Sequence, residues 1–309
     1  MSNAIVLGGN GKLGSHLSHS LADAGFSVRA FDRYSRPNSF DISSDIEVFA
    51  GDFRDSDHVR QALEGQDAVF HALWSTTPAT QDNDLQSDVE LNLLPTVRLL
   101  ESCVEAGVQK VYFMSSGGAV YDPAYPTPHA ESSPLKPTSP YGHVKVIAEG
   151  YFDYFEDRYG IDSTVFRIGN LFGFPTPAPA KRGLVSVVLQ RLLAGQPVTR
   201  YGDGSMERDY VHVSDAAHMI TQVAQASPEF DVYNLGTGVG HTVNDVLEII
   251  RNVTGVDFEI DEVPVPLTFQ QSAVLDVNRF DEEFGRPDFI TLQSGIASMW
   301  AKLQGASAA

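Results

Sequence analysis

Several residue types and patterns are scarce in this chain, and each shortage excludes a class of protein. Cysteine occurs once, as Cys103, so no internal disulfide can form; on an apolar helical face it reads as a small buried hydrophobe. No apolar run approaches the roughly 18 residues that a membrane-spanning helix requires. An apolar strand begins within four residues of Met1, where a signal peptide would need its own leader. Cytoplasmic residence without a membrane partner is the expectation. Positive charge is short as well: 21 Lys and Arg face 40 Asp and Glu, a net charge of −19. That balance argues against nucleic acid and anionic membranes as partners. It also means that any anion site must be built locally. No spacing of histidines or carboxylates suggests a metal site, and internal repeats and low-complexity tails are absent.

What is present is an alternation of strands and helices. Residues 4–7 form an apolar strand, and Leu13, Leu17 and Leu21 mark one face of a helix closed by Gly25. Residues 26–32 and 47–52 read as further strands. Ser56 caps a helix running to Gly65, and residues 68–72 form a fourth strand. A long helix from about Asp88 ends at Gly107, followed by a strand at 110–115, a helix at 141–159 ended by Gly160, and a strand at 163–167. Strand–helix units of about 30 residues predict an α/β fold with a doubly wound parallel sheet of the Rossmann kind. After Asn170 the pattern changes. Pro175, Pro177 and Pro179 read as a loop or lid, followed by a helix at 184–193 and a strand at 198–201. Strands at 209–213 and 232–235 read as returns to the main sheet, with Ser214 capping the helix between them; Thr242 opens a helix to about Val253. The expected organisation is a nucleotide-binding core over 1–173, with returning segments at about 209–235. A smaller C-terminal substrate lobe is interleaved from 174–208 and 236–309.

Directly after the first strand stands Gly8-Gly9-Asn10-Gly11-Lys12-Leu13-Gly14. A glycine turn from strand to helix brings backbone amides to a helix N-terminus, where they can donate to a pyrophosphate. Gly8, Gly11 and Gly14 are spaced three and three, not two and three as in the common dinucleotide fingerprint; the bland alternative is an ordinary turn. Asp32, closing the second strand, can accept hydrogen bonds from both adenosine ribose hydroxyls and would repel a 2′-phosphate, favouring NAD over NADP. Arg33 and Arg36 keep NADP open, and turn capping is the alternative role for Asp32. Asp52, in Gly51-Asp52-Phe53-Arg54-Asp55, ends the third strand where the adenine amine would lie.

Tyr141 and Lys145 stand one helical turn apart, so both project from one face. An ammonium beside a phenol favours the phenolate and brings the tyrosine into range as a base at neutral pH. Alone, such a pair means little in a chain with 11 Tyr. Downstream of a glycine turn, and after a strand ending Met114-Ser115-Ser116, it specifies redox chemistry on a dinucleotide. Here the chain resembles the extended short-chain dehydrogenase/reductases. Within them it is similar to the NAD-dependent nucleotide-sugar epimerase and dehydratase family, nearest to the UDP-galactose (UDP-glucose) 4-epimerases. The resemblance runs over nearly the whole chain. It includes Asn92-Leu93-Leu94-Pro95-Thr96, where the family usually has Gly in place of Pro95, and Ser115-Ser116-Gly117-Gly118-Ala119-Val120-Tyr121. Residues 167–173, Gly202-Asp203-Gly204, Arg208-Asp209-Tyr210-Val211-His212-Val213 with Asp215, and residues 234–238 complete it.

The resemblance implies a cofactor set of Gly8, Asn10, Gly11, Lys12, Leu13, Gly14, Asp32, Asp52, Phe53, His71, Ala72, Asn92, Ser115, Tyr141, Lys145 and Ile168. It implies a nucleotide-sugar substrate held by Ser116, Gly117, Tyr141, Asn170 and Arg208, with Arg208 on the diphosphate; a structural pair with Asp203 or Asp209 is the alternative for that arginine. The implied reaction is C4 epimerisation of a sugar of the UDP-glucose/UDP-galactose type through a transient 4-keto intermediate, with Tyr141, Lys145 and Ser116 catalytic. Two departures stand out. The family places a Ser or Thr three residues before the Val of its Val-Tyr pair, and here that residue is Gly117; Ser116 is the nearest hydroxyl, so Gly117→Ser is expected to raise turnover or leave it unchanged. The second diphosphate Arg has no counterpart in residues 263–276. A 4,6-dehydratase or decarboxylase needs an acid/base pair where this chain has Gly117-Gly118, and a 4-keto reductase remains open. A non-catalytic NAD-binding regulator is the alternative of another class. The aromatic run Tyr151-Phe152-Asp153-Tyr154-Phe155 suits either core packing or a homodimer interface shared with the helix around residues 91–103.

Overall fold

The computed structural model describes residues 2–35, 46–76, 85–174, 183–266 and 268–307. Arg36 and the prolines at 175, 177 and 179 lie outside them. The first half runs β1 (Asn3–Leu7), α1 (Lys12–Asp23), β2 (Ser27–Asp32), β3 (Ile46–Ala50), α2 (Ser56–Leu63), β4 (Ala68–His71), α3 (Leu85–Asp88), α4 (Leu94–Ala106), β5 (Lys110–Ser116), α5 (Pro140–Tyr159) and β6 (Asp162–Ile168). It continues with β7 (Asn170–Phe172), α6 (Leu184–Leu193), β8 (Val198–Tyr201), β9 (Glu207–His212), α7 (Val213–Gln225), β10 (Val232–Leu235), β11 (Gly240–Thr242), α8 (Val243–Thr254), β12 (Ile260–Val263), β13 (Ser272–Ala273), α9 (Asn278–Phe284) and α10 (Leu292–Ser307).

Seven strands form one parallel sheet in the order β10-β6-β5-β4-β1-β2-β3. Residues 4–7 are completely buried because helices cover both faces, which is why this strand is an unbroken apolar run. Alternate side chains feed two cores. Ala4 and Val6 join Leu13, Leu17 and Leu21 of α1; Ile5 and Leu7 join Val59 and Leu63 of α2 and Leu99 of α4. Strand order reverses between β1 and β4, the place where sheets of this kind open a ligand crevice at their carboxyl ends.

The helix expected from Asp88 begins earlier, at Leu85, and passes through a π-helical stretch, Val89–Leu93. Pro95 lacks an N–H, and in a regular helix its ring would meet the carbonyl four residues back. The wider turn ahead of it accommodates both. Two caps also differ from expectation. Asp55, not Ser56, accepts the N–H groups of Asp57 and His58, and the His212 ring, not Ser214, caps α7 by accepting the Ser214 N–H.

The expected return of residues 209–213 to the main sheet does not occur. β10 takes the edge beside β6, and β9 pairs instead with β7, β11 and β13 in a second sheet. An apolar strand pattern says which face is buried, not which edge the strand will join. Helix α7 does return, packing on α1 with the Thr221 and Ser20 hydroxyls 2.8 Å apart. A third core cluster joins α6, α8 and α10 through Leu189, Leu192, Ile250, Ile296 and Trp300. On α5 the aromatic run divides: Phe152 and Phe155 are core, whereas Tyr151 and Tyr154 lie exposed, as do Ile147 and Leu94.

Candidate active site

At the crevice, the Gly8 and Gly9 N–H groups both donate to the Phe31 carbonyl of β2, and the Gly11 N–H closes the turn onto the Gly8 carbonyl at 2.8 Å. A Cβ on Gly14 would stand 2.1 Å from that same carbonyl oxygen, and one on Gly11 at 2.8 Å, so the turn closes only over glycine. Helix α1 then opens with no side chain capping its first turn, the arrangement in which an N-terminus receives an anion. Asp32 ends β2 beside this turn, accepting the Asn10 N–H at 3.1 Å and the Arg33 N–H at 2.7 Å. The three-and-three glycine spacing thus builds a cradle that fits a dinucleotide, with the Asp32 carboxylate beside it.

Other residues expected to meet the cofactor have protein contacts of their own. β3 ends at Ala50, so Asp52 lies in the turn beyond it, gripped by the Arg54 guanidinium at 2.6 and 3.0 Å. That grip lowers its pKa to about 2. The Phe53 and His71 rings pack against each other in the core, 5.1 Å apart, leaving only their main chain for a ligand. Burial and the Lys145 charge lower the His71 pKa to about 3, so this imidazole is neutral. Leu13 and Ile168 are core residues, and Ala72 is half-buried against the same cluster. Lys12 reaches over the Phe174 ring at 4.0 Å.

Asn92 is saturated by protein groups. Its oxygen accepts the Ser75 N–H at 2.8 Å, and its amide donates to Thr76 and to Asp88, each at 3.0 Å. These bonds hold the loop after β4. That loop also lies against the glycine turn, because a Cβ on Gly8 would meet the Leu73 backbone at 3.0 Å. Ser115 is likewise internal: its hydroxyl donates to Glu149, which pairs with Arg167 at 2.8 Å in the buried interior. The Arg167 guanidinium continues to the Tyr121 hydroxyl, which donates to Asn234 at 2.6 Å. This chain of contacts locks α5 onto β5, β6 and β10.

Tyr141 and Lys145 ride on α5, whose first turn is capped by Ser139. A Cβ on Gly142 would come within 2.4 Å of the Ala119 carbonyl, so that turn rests directly on the segment after β5. Lys145 is only 2% exposed and donates to the Met114 carbonyl at 2.6 Å. Burial holds its pKa well below the usual lysine value, against the opposing pull of Glu149 and Asp88. Ser116 ends β5 half-buried, and among the described residues its hydroxyl makes no hydrogen bond. Gly118 faces Asn170, whose Oδ1 would lie 3.1 Å from a Cβ there. Gly117 differs: a Cβ would meet both terminal carbons of Leu275 at 2.7 Å. A serine there requires the buried Leu275 side chain to shift, a demand that the expectation for Gly117→Ser did not include.

Asn170 of β7 pairs in register with Tyr210 of β9, two residues beyond Arg208. The Arg208 guanidinium has no carboxylate partner among the described residues. It is held by the Glu207 and Gln270 carbonyls, each at 2.7 Å, and burial lowers its pKa. Asp209 binds Thr237 and Gly238 instead, and Asp203 binds Ser205. The structural pair weighed for Arg208 does not form, and an uncompensated guanidinium in a chain of charge −19 suits an anionic ligand.

The model of the NAD dependent epimerase/dehydratase family matches residues 4–236. The chain belongs to that family. Among its relatives, the UDP-glucose 4-epimerase of Mycolicibacterium smegmatis is 31% identical, over 95% of this chain and 96% of that one. The solved UDP-glucose 4-epimerase of Thermotoga maritima, in a crystal with UDP-glucose, superposes with a TM-score of 0.89 at 28% identity, covering 99% of this chain and 100% of that one. The Thermus thermophilus UDP-glucose 4-epimerase in complex with NAD gives 0.88 at 31% identity, covering 98% and 99%. No helix among the described residues is long and apolar enough to cross a membrane, and none of their His, Cys, Asp and Glu side chains group to hold a metal.

Within this family member, sequence reasoning passed over Glu149, Arg167, Asp88 and Trp74 as parts of the site. Glu149 was legible in principle, four residues after Lys145 on one helix face. Trp74, one of only two tryptophans, stands three residues past the end of β4, and nothing in its local pattern shows that it reaches α5.

Proposed function

We propose that this family member epimerises C4 of a nucleotide-linked sugar of the UDP-glucose/UDP-galactose type through a 4-keto intermediate. The carrying observation is Tyr141 above a buried Lys145 beside a turn, Gly117-Gly118, that offers no acid or base. Loss of water or of carboxylate needs proton donors and acceptors placed near C5 and C6; this turn supplies none. The named relatives support the same reading.

NAD, when bound, supplies a hydride acceptor that also returns the hydride. The glycine turn and the start of α1 hold its pyrophosphate, and Asp32 its adenosine ribose. Tyr141 takes the proton of the sugar 4-hydroxyl and later gives it back, with the Lys145 ammonium favouring the phenolate. Ser116 shares that hydroxyl, Asn170 positions the nucleotide sugar, and Arg208 binds its diphosphate. The substrate lobe is assembled from 174–208 and 236–309, the main sheet and α7 forming the cofactor core. The exposed side chains of Leu94, Ile147, Tyr151 and Tyr154 form the face of a homodimer.

The test is a panel of sugar nucleotides read by mass and anomeric NMR. Epimerisation leaves product mass unchanged and consumes no added NAD(P)H. Loss of 18 mass units (one water), or steady NADPH oxidation, overturns the assignment. Tyr141→Phe lowers turnover on the order of 10² to 10⁴-fold while NAD stays bound; near-normal activity would show the pair to be incidental.

A further inference from the structure

The Lys145 ammonium is buried with three N–H donors, and only the Met114 carbonyl receives one of them among the hydrogen bonds its ammonium makes to described residues. Among the described residues, neither nearby carboxylate hydrogen-bonds the ammonium. Glu149 is engaged by Ser115 and Arg167, and Asp88 by Thr76 and Asn92. What lies against the ammonium is an aromatic face: the Trp74 ring at 3.6 Å, with Phe113 at 4.5 Å and the Tyr141 ring at 5.9 Å. Trp74 also meets Tyr141 edge to face, 6.4 Å between centroids at 85°. Its indole N–H is buried without a hydrogen-bond partner among the described residues. A tryptophan placed for its N–H would satisfy that donor; this one is placed for its face. The loop that carries it is fixed at both sides, by Asn92 bonding Ser75 and Thr76 and by Leu73 lying against Gly8.

We propose that Trp74 is a positioning residue that keeps Lys145 charged and beneath Tyr141 by cation–π contact. The proposal rests on the reading of Tyr141 as base. The groups facing Lys145 are Asp88 from α3, Glu149 and Tyr141 from its own helix, the neutral His71 from β4 and the Met114 carbonyl of β5. The two carboxylates act on the desolvated cation without a hydrogen bond to it, and the indole quadrupole, with its ring at 3.6 Å, adds a direct contact that favours the charged form. Removing it makes the ammonium easier to deprotonate. A weaker cation stabilises the phenolate less, so the phenol ionises at higher pH.

Two measurements test this. In a Trp300→Phe background Trp74 is the only tryptophan, and excitation at the red edge of the absorption band selects it over the tyrosines. Its fluorescence in the cofactor-free protein rises with pH as the quenching ammonium loses its proton, and the titration vanishes in Lys145→Met. Flat emission, or a titration that survives Lys145→Met, overturns the proposal whatever the enzyme turns over. For activity, Trp74→Leu moves the acid limb of kcat/KM to higher pH by about one unit, and Trp74→Phe, which keeps a π face, restores most of it. A rate lowered equally at every pH, with no difference between Leu and Phe, marks a merely structural residue and refutes the role. Absence of any sugar-nucleotide turnover in the wild type, with the fluorescence titration intact, refutes the epimerase reading alone.

Discussion

Replacing Glu149 with Gln strikes the contact that joins the candidate catalytic helix to the sheet. Glu149 and Arg167 expose 7% and 6% of their side chains and meet at 2.8 Å, with a second approach from Arg167 Nε at 3.2 Å. Burial works against the Arg167 charge, and Glu149 more than offsets it, so its pKa stands above the ordinary arginine value. Gln keeps the shape but turns an N–H₂ toward a guanidinium that is always charged. The remaining partners of Arg167, the Tyr121 hydroxyl and the Glu131 carbonyl, carry no full charge. Breaking a buried pair by removing one partner costs about 3–5 kcal/mol, which for a chain of this size lowers Tm on the order of 10 °C. Urea unfolding of wild type, Glu149→Gln and the double substitution Glu149→Leu with Arg167→Met measures it. The double variant is expected to recover much of the loss, since an apolar pair needs no compensation there. A Glu149→Gln protein within about 1 kcal/mol of wild type, or a double variant no better than the single one, would refute the reasoning.

Asp32→Gly should relax discrimination against NADP, read as the ratio of NAD to NADP dissociation constants; equal wild-type affinities would sink the carboxylate argument. Gly117→Ser should lower stability and activity through its collision with Leu275, and Leu275→Ala in the same chain should restore both; an unharmed single variant would show that Leu275 yields freely. His71 should make stability pH-dependent. Its pKa is about 3 in the folded chain against 6.5 for the free group, so the unfolded state binds the extra proton. Stability is complete above pH ~6.5 and falls by roughly 1.4 kcal/mol per pH unit toward pH ~3. His71→Phe should remove that slope from urea midpoints measured across the range.

Local chemistry made part of the candidate site's geometry readable in advance. The glycine turn, Asp32 and the Tyr141/Lys145 spacing follow from backbone geometry and helical period, which neighbouring residues specify by themselves. The same holds for the unbroken apolar strands, since a strand covered on both faces must be apolar throughout. Tertiary packing decided the remainder. Asn92, Ser115, Phe53 and His71 resembled cofactor contacts in sequence, yet each side chain is consumed by partners from other elements. Strand β9 joined a second sheet because β10 already held the edge beside β6. Arg208 escaped pairing because Asp209 bonds the turn at Thr237 and Gly238. The sequence by itself determined the parallel α/β scaffold and the residue types at its crevice, because those depend on short-range period and on backbone that only glycine tolerates. Only the folded chain decided which carboxylates are spent, that Leu275 fills the space beside Gly117, and that Trp74 lies against Lys145, because each is a contact between residues far apart along the chain.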